Sequence, residues 1–229
     1  MKRLRIGAIV LCIASAGSVR AAAAQSSPAT GPGRVEVSAG ALWIGHQALG
    51  SNDANETTST GGSLRIFTTA SDVASAAGIE GRIAVRLTGS LEAEVEASYG
   101  TPQLKIALGN DIENAPAVIA TERLEQFTIG AGVVWYLPFR IGTSRLAPFV
   151  TAGGGHLRQM HEARTLLETG QYYHVGGGVK ALLFSRPSGF VNAFGVRIDA
   201  RALVRMNGVA FDDGGHASPT VGASAFVRF

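Results

Sequence analysis

Glu92, Glu94 and Glu96 stand at every second position of one segment, and Arg82 and Arg86 are spaced to match in the segment before it. A period of two puts the three carboxylates on one face of a β-strand. Gly89-Ser90 between the segments reads as a tight hairpin turn, which sets the two arginines opposite or diagonal to the acids. Further along, Arg197, Asp199, Arg201 and Arg205 alternate with Val196, Ile198, Ala200, Ala202 and Val204, and Lys180 joins the same charged face from the preceding strand. Closely spaced carboxylates can do acid/base chemistry, and a charged stripe can line an ion path. Here, however, the acids are consecutive on one strand face and have arginine partners. The reading favoured is a static ion-pair network of Arg82, Arg86, Glu92, Glu94, Glu96, Lys180, Arg197, Asp199 and Arg201.

Other chemistries find little footing. The five histidines, His46, His156, His161, His174 and His216, all fall at predicted outer strand ends or in outer loops, without the H-E-x-x-H or H-x-x-E-H spacing of zinc enzymes. The sequence has no G-x-S-x-G nucleophile elbow. Its glycine clusters at 130–132, 153–155 and 176–178 do not match the phosphate-binding G-x-x-x-x-G-K-[ST]. Asp212-Asp213-Gly214 is a turn signal before it is a calcium ligand. The only cysteine, Cys12, lies in the expected leader, so the mature chain has no thiolate chemistry and no disulfide. No catalytic residue, cofactor or metal is assigned, and the chain reads as non-enzymatic.

The leader is residues 1–24. Lys2, Arg3 and Arg5 precede an apolar stretch, Ile6 to Val19, and Ala22-Ala23-Ala24 offers a small-residue cleavage site before Gln25. That segment holds four of the 20 Lys and Arg and no acid; the 16 left against 17 Asp and Glu put the mature chain near −1. A basic surface for nucleic acid is not supported. Residues 25–33, QSSPATGPG, read as a flexible linker, and 34–229 as one domain. No run of about 20 apolar residues follows the leader, so any membrane crossing must use a closed barrel.

Eight candidate strands are placed at 34–44, 79–88, 91–99, 123–137, 146–157, 171–184, 190–205 and 219–229. The connections alternate long and short, as in an up-and-down barrel with short periplasmic turns. The segment 62–69 reads as an extension of the second strand, and Ser71 to Ala77 as one helical turn. Aromatics sort to two levels: Trp135, Tyr136, Phe149, Phe184, Phe190 and Phe229 at the inner rim, and Trp43, Tyr99, Phe127, Tyr172 and Tyr173 at the outer. Such girdles suit membrane interfaces. Alternation alone does not say which face looks inward. Small apolar residues such as Ala93, Ala97, Ala200 and Ala202 would fill a dry interior poorly, whereas paired Arg and Glu fill the lumen of a narrow membrane barrel.

With the leader, the eight strands, the glycine-rich centres and the final alternating strand ending in Phe229, the chain resembles the OmpA/OmpX-like family of small outer-membrane β-barrels. Leu146-Ala147-Pro148-Phe149-Val150-Thr151-Ala152-Gly153-Gly154-Gly155 is similar to a strand common in that group. The resemblance implies an all-β, eight-stranded antiparallel transmembrane barrel in the bacterial outer membrane with both termini periplasmic. It also implies contact with outer-membrane lipid and recognition by the barrel assembly machinery, with Phe229 as the assembly signal. The role expected is structural or surface-interaction, through the loops at 45–78 and 100–122, with no loop partner identified. The alternatives are a lipid-modifying enzyme and a small pore or carrier for apolar solutes.

Overall fold

The computed structural model describes residues 33–57, 61–109, 118–138, 145–161, 167–186, 189–207 and 216–229. The expected leader, nearly all of the linker and Asp212-Asp213-Gly214 lie outside these residues. The described residues form eleven strands and no helix: β1 Val35–Ile44, β2 Gln47–Thr57, β3 Ser63–Val73, β4 Ala76–Arg86, β5 Leu91–Gly100, β6 Gln103–Gly109, β7 Val118–Tyr136, β8 Leu146–His161, β9 Leu167–Ser185, β10 Ala193–Asn207 and β11 His216–Arg228. No peptide bond is cis.

Eight of them make the closed barrel. β1, β4, β5, β7, β8, β9, β10 and β11 pair antiparallel in chain order, and β11 pairs back onto β1 from Glu36↔Arg228 to Ile44↔Thr220. Closure satisfies every strand edge within the ring. The barrel is thus the all-β, eight-stranded up-and-down architecture expected from the alternation.

The other three strands correct the expected loops. β2, β3, β6 and the start of β7 form a second antiparallel sheet in the order β2-β3-β6-β7, continuing the wall beyond the end opposite the termini. The segment 62–69 lies largely within β3, which leads into β4 but pairs with β2 and β6 rather than with barrel strands. No helical turn forms over 71–77. Ser71 and Val73 are both buried, a period of two, and Val73 packs with Leu49, Leu104 and Leu124. The barrel strands themselves overrun their expected bounds, β9 starting at Leu167 and β8 reaching His161. Apolar alternation marks only the band of wall that must be apolar, while the backbone ladder continues past it.

The burial pattern settles which face looks inward. In β1, Glu36, Ser38, Leu42 and Ile44 are buried, while Val35, Val37, Ala39, Ala41 and Trp43 are exposed. In β5, Glu92, Glu94 and Glu96 are buried and Val95 is exposed. With a single closed sheet, the buried face is the interior. The exterior carries Val37, Ile83, Val95, Val133, Val175 and Ile198. Exposed rings lie near its two ends, Trp135, Phe184 and Phe190 towards the termini and Trp43, Tyr99, Phe127 and Tyr173 towards the other end. Three expected girdle residues are corrected: Tyr136, Phe149 and Tyr172 are 6 %, 2 % and 1 % exposed and point inward. Tyr136 and Tyr172 each adjoin an outward ring, Trp135 and Tyr173, and adjacent strand residues take opposite faces.

Phe229 stands at the seam. Its N–H donates to the Val35 carbonyl and its carbonyl accepts from Arg34 N–H, both at 2.8 Å, while its ring lies 5.0 Å from that of Phe190. Removing Phe229, or changing it to Asp, is expected to lower the yield of heat-modifiable folded barrel more than deletion of residues 51–69, whose described residues pair within the second sheet and not with the ring. Equal yields on unboiled gels would contradict this role.

Candidate functional site

The interior is built by parity. In β4, even positions point inward and supply Glu80 and Arg82; in β5 they supply Glu92, Glu94 and Glu96. β10 contributes Arg197, Asp199, Arg201 and Arg205, and β9 contributes Tyr172, His174 and Lys180. β1 adds Glu36 and β11 adds Arg228.

Twelve of the inward charged side chains form two ion-pair networks, Arg86 among them. Nearer the termini, Lys180 Nζ donates to Glu36 Oε1 at 2.7 Å and to Glu92 Oε2 at 2.8 Å. Arg228 Nε donates to Glu36 Oε2 at 2.7 Å, and its Nη2 to Glu92 Oε1 at 3.4 Å and Tyr136 Oη at 3.3 Å. Arg86 Nη2 lies 3.7 Å from Glu92 Oε1. At mid-barrel, Arg197 Nη1 donates to Glu94 Oε2 at 2.7 Å and its Nε to Asp199 Oδ1 at 2.9 Å. Arg201 holds Glu96 Oε2 and Glu80 Oε2, each at 2.7 Å, and its Nε lies 2.8 Å from Asp199 Oδ2. Arg82 Nη2 donates to Glu80 Oε2 at 2.6 Å and lies 3.4 Å from Asp199 Oδ1.

All nine residues singled out from the sequence lie in these networks, but the partners differ from those of the hairpin register. Arg82 is paired with Glu96 and Arg86 with Glu92 across β4 and β5, yet the corresponding ionic contacts are 3.7 Å. The shorter contacts to Glu94 and Glu96 come from β10, which lies four strands away in the ring of eight, on the opposite wall. Glu36, Glu80 and Arg228 escaped the sequence assignment. Strand parity is the signal that would have found them, since each sits at the spacing of the inward face of its strand.

The glycine clusters make room for this. Gly130 and Gly132, Gly153 and Gly155, and Gly176 and Gly178 occupy inward positions on the adjacent strands β7, β8 and β9, leaving that arc of wall bare. A Cβ at Gly176 would lie 2.6 Å from Arg201 Cγ, one at Gly178 2.7 Å from Asp199 Cβ, and one at Gly153 2.8 Å from His174 Cε1. One at Gly130 would run into the Tyr172 hydroxyl. A small cavity of about 20 Å³ remains beside Glu80, Glu96, Tyr172 and Arg201.

Above the networks the interior turns polar and then apolar. Ser98 and Thr128 hydroxyls are 2.6 Å apart, and Gln159 Nε2 donates to Gln126 Oε1 at 3.2 Å. Leu49, Val73, Leu104 and Leu124 form a buried cluster where the second sheet meets the barrel. The histidines divide. His46 lies 3.2 Å from Asp72, His161 lies 2.8 Å from Glu122, His156 is exposed and His216 begins β11. His174 is a correction to the outer placement expected for all five: it is 5 % exposed, inside the barrel, with Nδ1 3.3 Å from Glu96 Oε1. Its position in β9 opposite Gly153 puts it on the inward face.

Carboxylates held by guanidinium and ammonium groups at 2.6–2.9 Å are poorly set to accept a substrate proton. They are well set to fill and fix an interior. Glu94→Ala takes from Arg197 the carboxylate on Nη1 and leaves it only Asp199 on Nε, and loss of one partner of a buried pair costs about 3–5 kcal/mol. The exposed change Glu56→Ala should be nearly neutral, and urea titration of both refolded barrels measures the difference. Gly178→Val should lose about 1–3 kcal/mol by overpacking against Asp199, whereas Gly109→Val, with nothing within 4 Å, should lose little in the same assay.

No protein-family model matches the sequence, and no curated protein matches it. Among solved structures the chain is similar to Neisserial surface protein A, at 15% identity over 85% of this chain and 97% of that one, with a TM-score of 0.48. It is similar to the outer membrane protein OprG from Pseudomonas aeruginosa, at 11% identity over 87% of this chain and 97% of that one, with a TM-score of 0.49. A third is Ail, the attachment invasion locus protein of Yersinia pestis, solved with the heparin analogue sucrose octasulfate, at 14% identity over 86% and 99%, with a TM-score of 0.42. The likeness is one of shape, and the fold of this chain stands on the strand pairing described above.

Proposed function

We propose that this chain is a bacterial outer-membrane β-barrel with a structural or surface-interaction role and no catalytic activity. The observation that carries the reading is the inverted polarity of the wall, with an apolar exterior around a charged interior. In water that arrangement exposes the wrong face. In lipid it is the favourable one, because a closed barrel satisfies its backbone and an arginine turned to mid-bilayer lipid would cost about 2–4 kcal/mol. The export signal read at 1–24 supports the same location.

In this reading both termini lie in the periplasm, where Phe229 is available to the assembly machinery. The second sheet then stands outside the cell. Its β2–β3 hairpin carries exposed Asn52, Asp53, Asn55, Glu56 and Arg65, a polar surface suited to contact with other molecules. The ion pairs plug the lumen, which favours this role over that of a pore.

The mature protein should fractionate with the outer membrane and migrate differently on gels with and without boiling. In planar bilayers it should show little or no steady conductance. Recovery as a soluble periplasmic protein would sink the location, and a large steady conductance would favour a pore.

A further inference from the structure

His174 stands apart within the interior. It is 5 % exposed, and although Nδ1 lies 3.3 Å from Glu96 Oε1, neither ring nitrogen makes a hydrogen bond. A buried polar group left in that state is costly and calls for a partner. A ligand atom from each of Glu94, Glu96 and His174 lies within 4.8 Å of the other two.

The surrounding charge asks for a cation. The mid-barrel network holds four carboxylates, Glu80, Glu94, Glu96 and Asp199, against three guanidiniums, those of Arg82, Arg197 and Arg201. The arginines also leave one oxygen of each nearby glutamate comparatively open. Glu94 Oε2 and Glu96 Oε2 each take a guanidinium at 2.7 Å. Among the described residues Glu94 Oε1 receives only Thr151 at 3.2 Å and Arg197 at 3.5 Å, and Glu96 Oε1 receives the Tyr172 hydroxyl at 3.0 Å.

We propose that Glu94, Glu96 and His174 form a buried site for one divalent transition-metal ion. An imidazole nitrogen with two carboxylate oxygens suits Zn²⁺ and its neighbours, whereas Ca²⁺ and Mg²⁺ prefer oxygen alone. Arg197 and Arg201, held on the far oxygens, orient the two carboxylates as outer partners do in metal sites. The donors must draw in to roughly 3.3 Å apart to meet bonds near 2 Å in tetrahedral geometry. The absence of a side chain at Gly153 lets the His174 ring sit against the wall, and the small cavity beside Glu96 and Tyr172 lies next to one of the two carboxylates.

The test uses the full chain purified from membranes in detergent, stripped with a chelator and titrated near neutral pH with Co²⁺ or Zn²⁺ alone. One equivalent should bind, with Co²⁺ giving visible ligand-field bands. In the wild type, Zn²⁺ should shift the ¹⁵N resonances of the His174 ring, a readout that needs no variant. His174→Gln should weaken binding about tenfold or more while leaving heat-modifiable migration intact. His46→Gln, on the exposed face, should change nothing. Absence of saturable binding at millimolar metal, with His174 merely taking up a proton as pH falls, would overturn the proposal. So would unaltered binding in His174→Gln, or its loss in His46→Gln.

Discussion

The structure depends on charges that have been taken out of water and must find one another across a narrow lumen. Six carboxylates and six cations make up the two networks, and several contacts at 2.7–2.8 Å run between strands that are not neighbours: Lys180 to Glu36 and Glu92, Arg197 to Glu94, and Arg201 to Glu80 and Glu96. Desolvating such groups is unfavourable unless the geometry is good and the remaining lone pairs are used. Here Glu36, Glu92 and Glu96 each use both carboxylate oxygens. The network therefore acts as a set of cross-braces. Lys180 ties β9 to β1 and β5, and Arg201 ties β10 to β4 and β5. Backbone pairing closes the ring, and the charges fix what the ring encloses.

That bracing sets the distribution of side-chain size around the wall. Long arginines and glutamates project from β4, β5 and β10, so the arc formed by β7, β8 and β9 must be thin at the same height. Paired inward glycines on each of those three strands provide this, and large inward groups return only above and below them, as with Thr128 and Val134 on β7 or His174 and Lys180 on β9. Glycine normally weakens a strand. Within a closed ring whose every strand has two partners, that loss is offset by the ion pairs the space admits.

The second sheet follows from a different constraint. Its residues nearest the rim, Leu49, Val73, Leu104 and Leu124, are buried at 0–4 % exposure and seat the sheet on the barrel. Farther out the β2–β3 hairpin becomes polar and exposed. An apolar root with a polar tip is what an appendage needs if it is to stand in a fixed place and still meet water.

By itself the sequence determined the ring: eight alternating segments, the Gly89-Ser90 hairpin, the charged face and a terminal aromatic at the seam. These are local properties, because a period of two and a turn are written into neighbouring residues. Charged positions on one face, such as Glu92 to Glu96 and Arg197 to Arg201, were legible for the same reason. The tertiary structure decided what lies opposite what. It turned Tyr136, Phe149 and Tyr172 inward, brought His174 beside Glu96, folded 47–57, 63–73 and 103–109 into strands and joined β5 to β10 across the lumen. Contacts between strands four places apart around a ring depend on its closure and stagger, and no spacing along the chain encodes them.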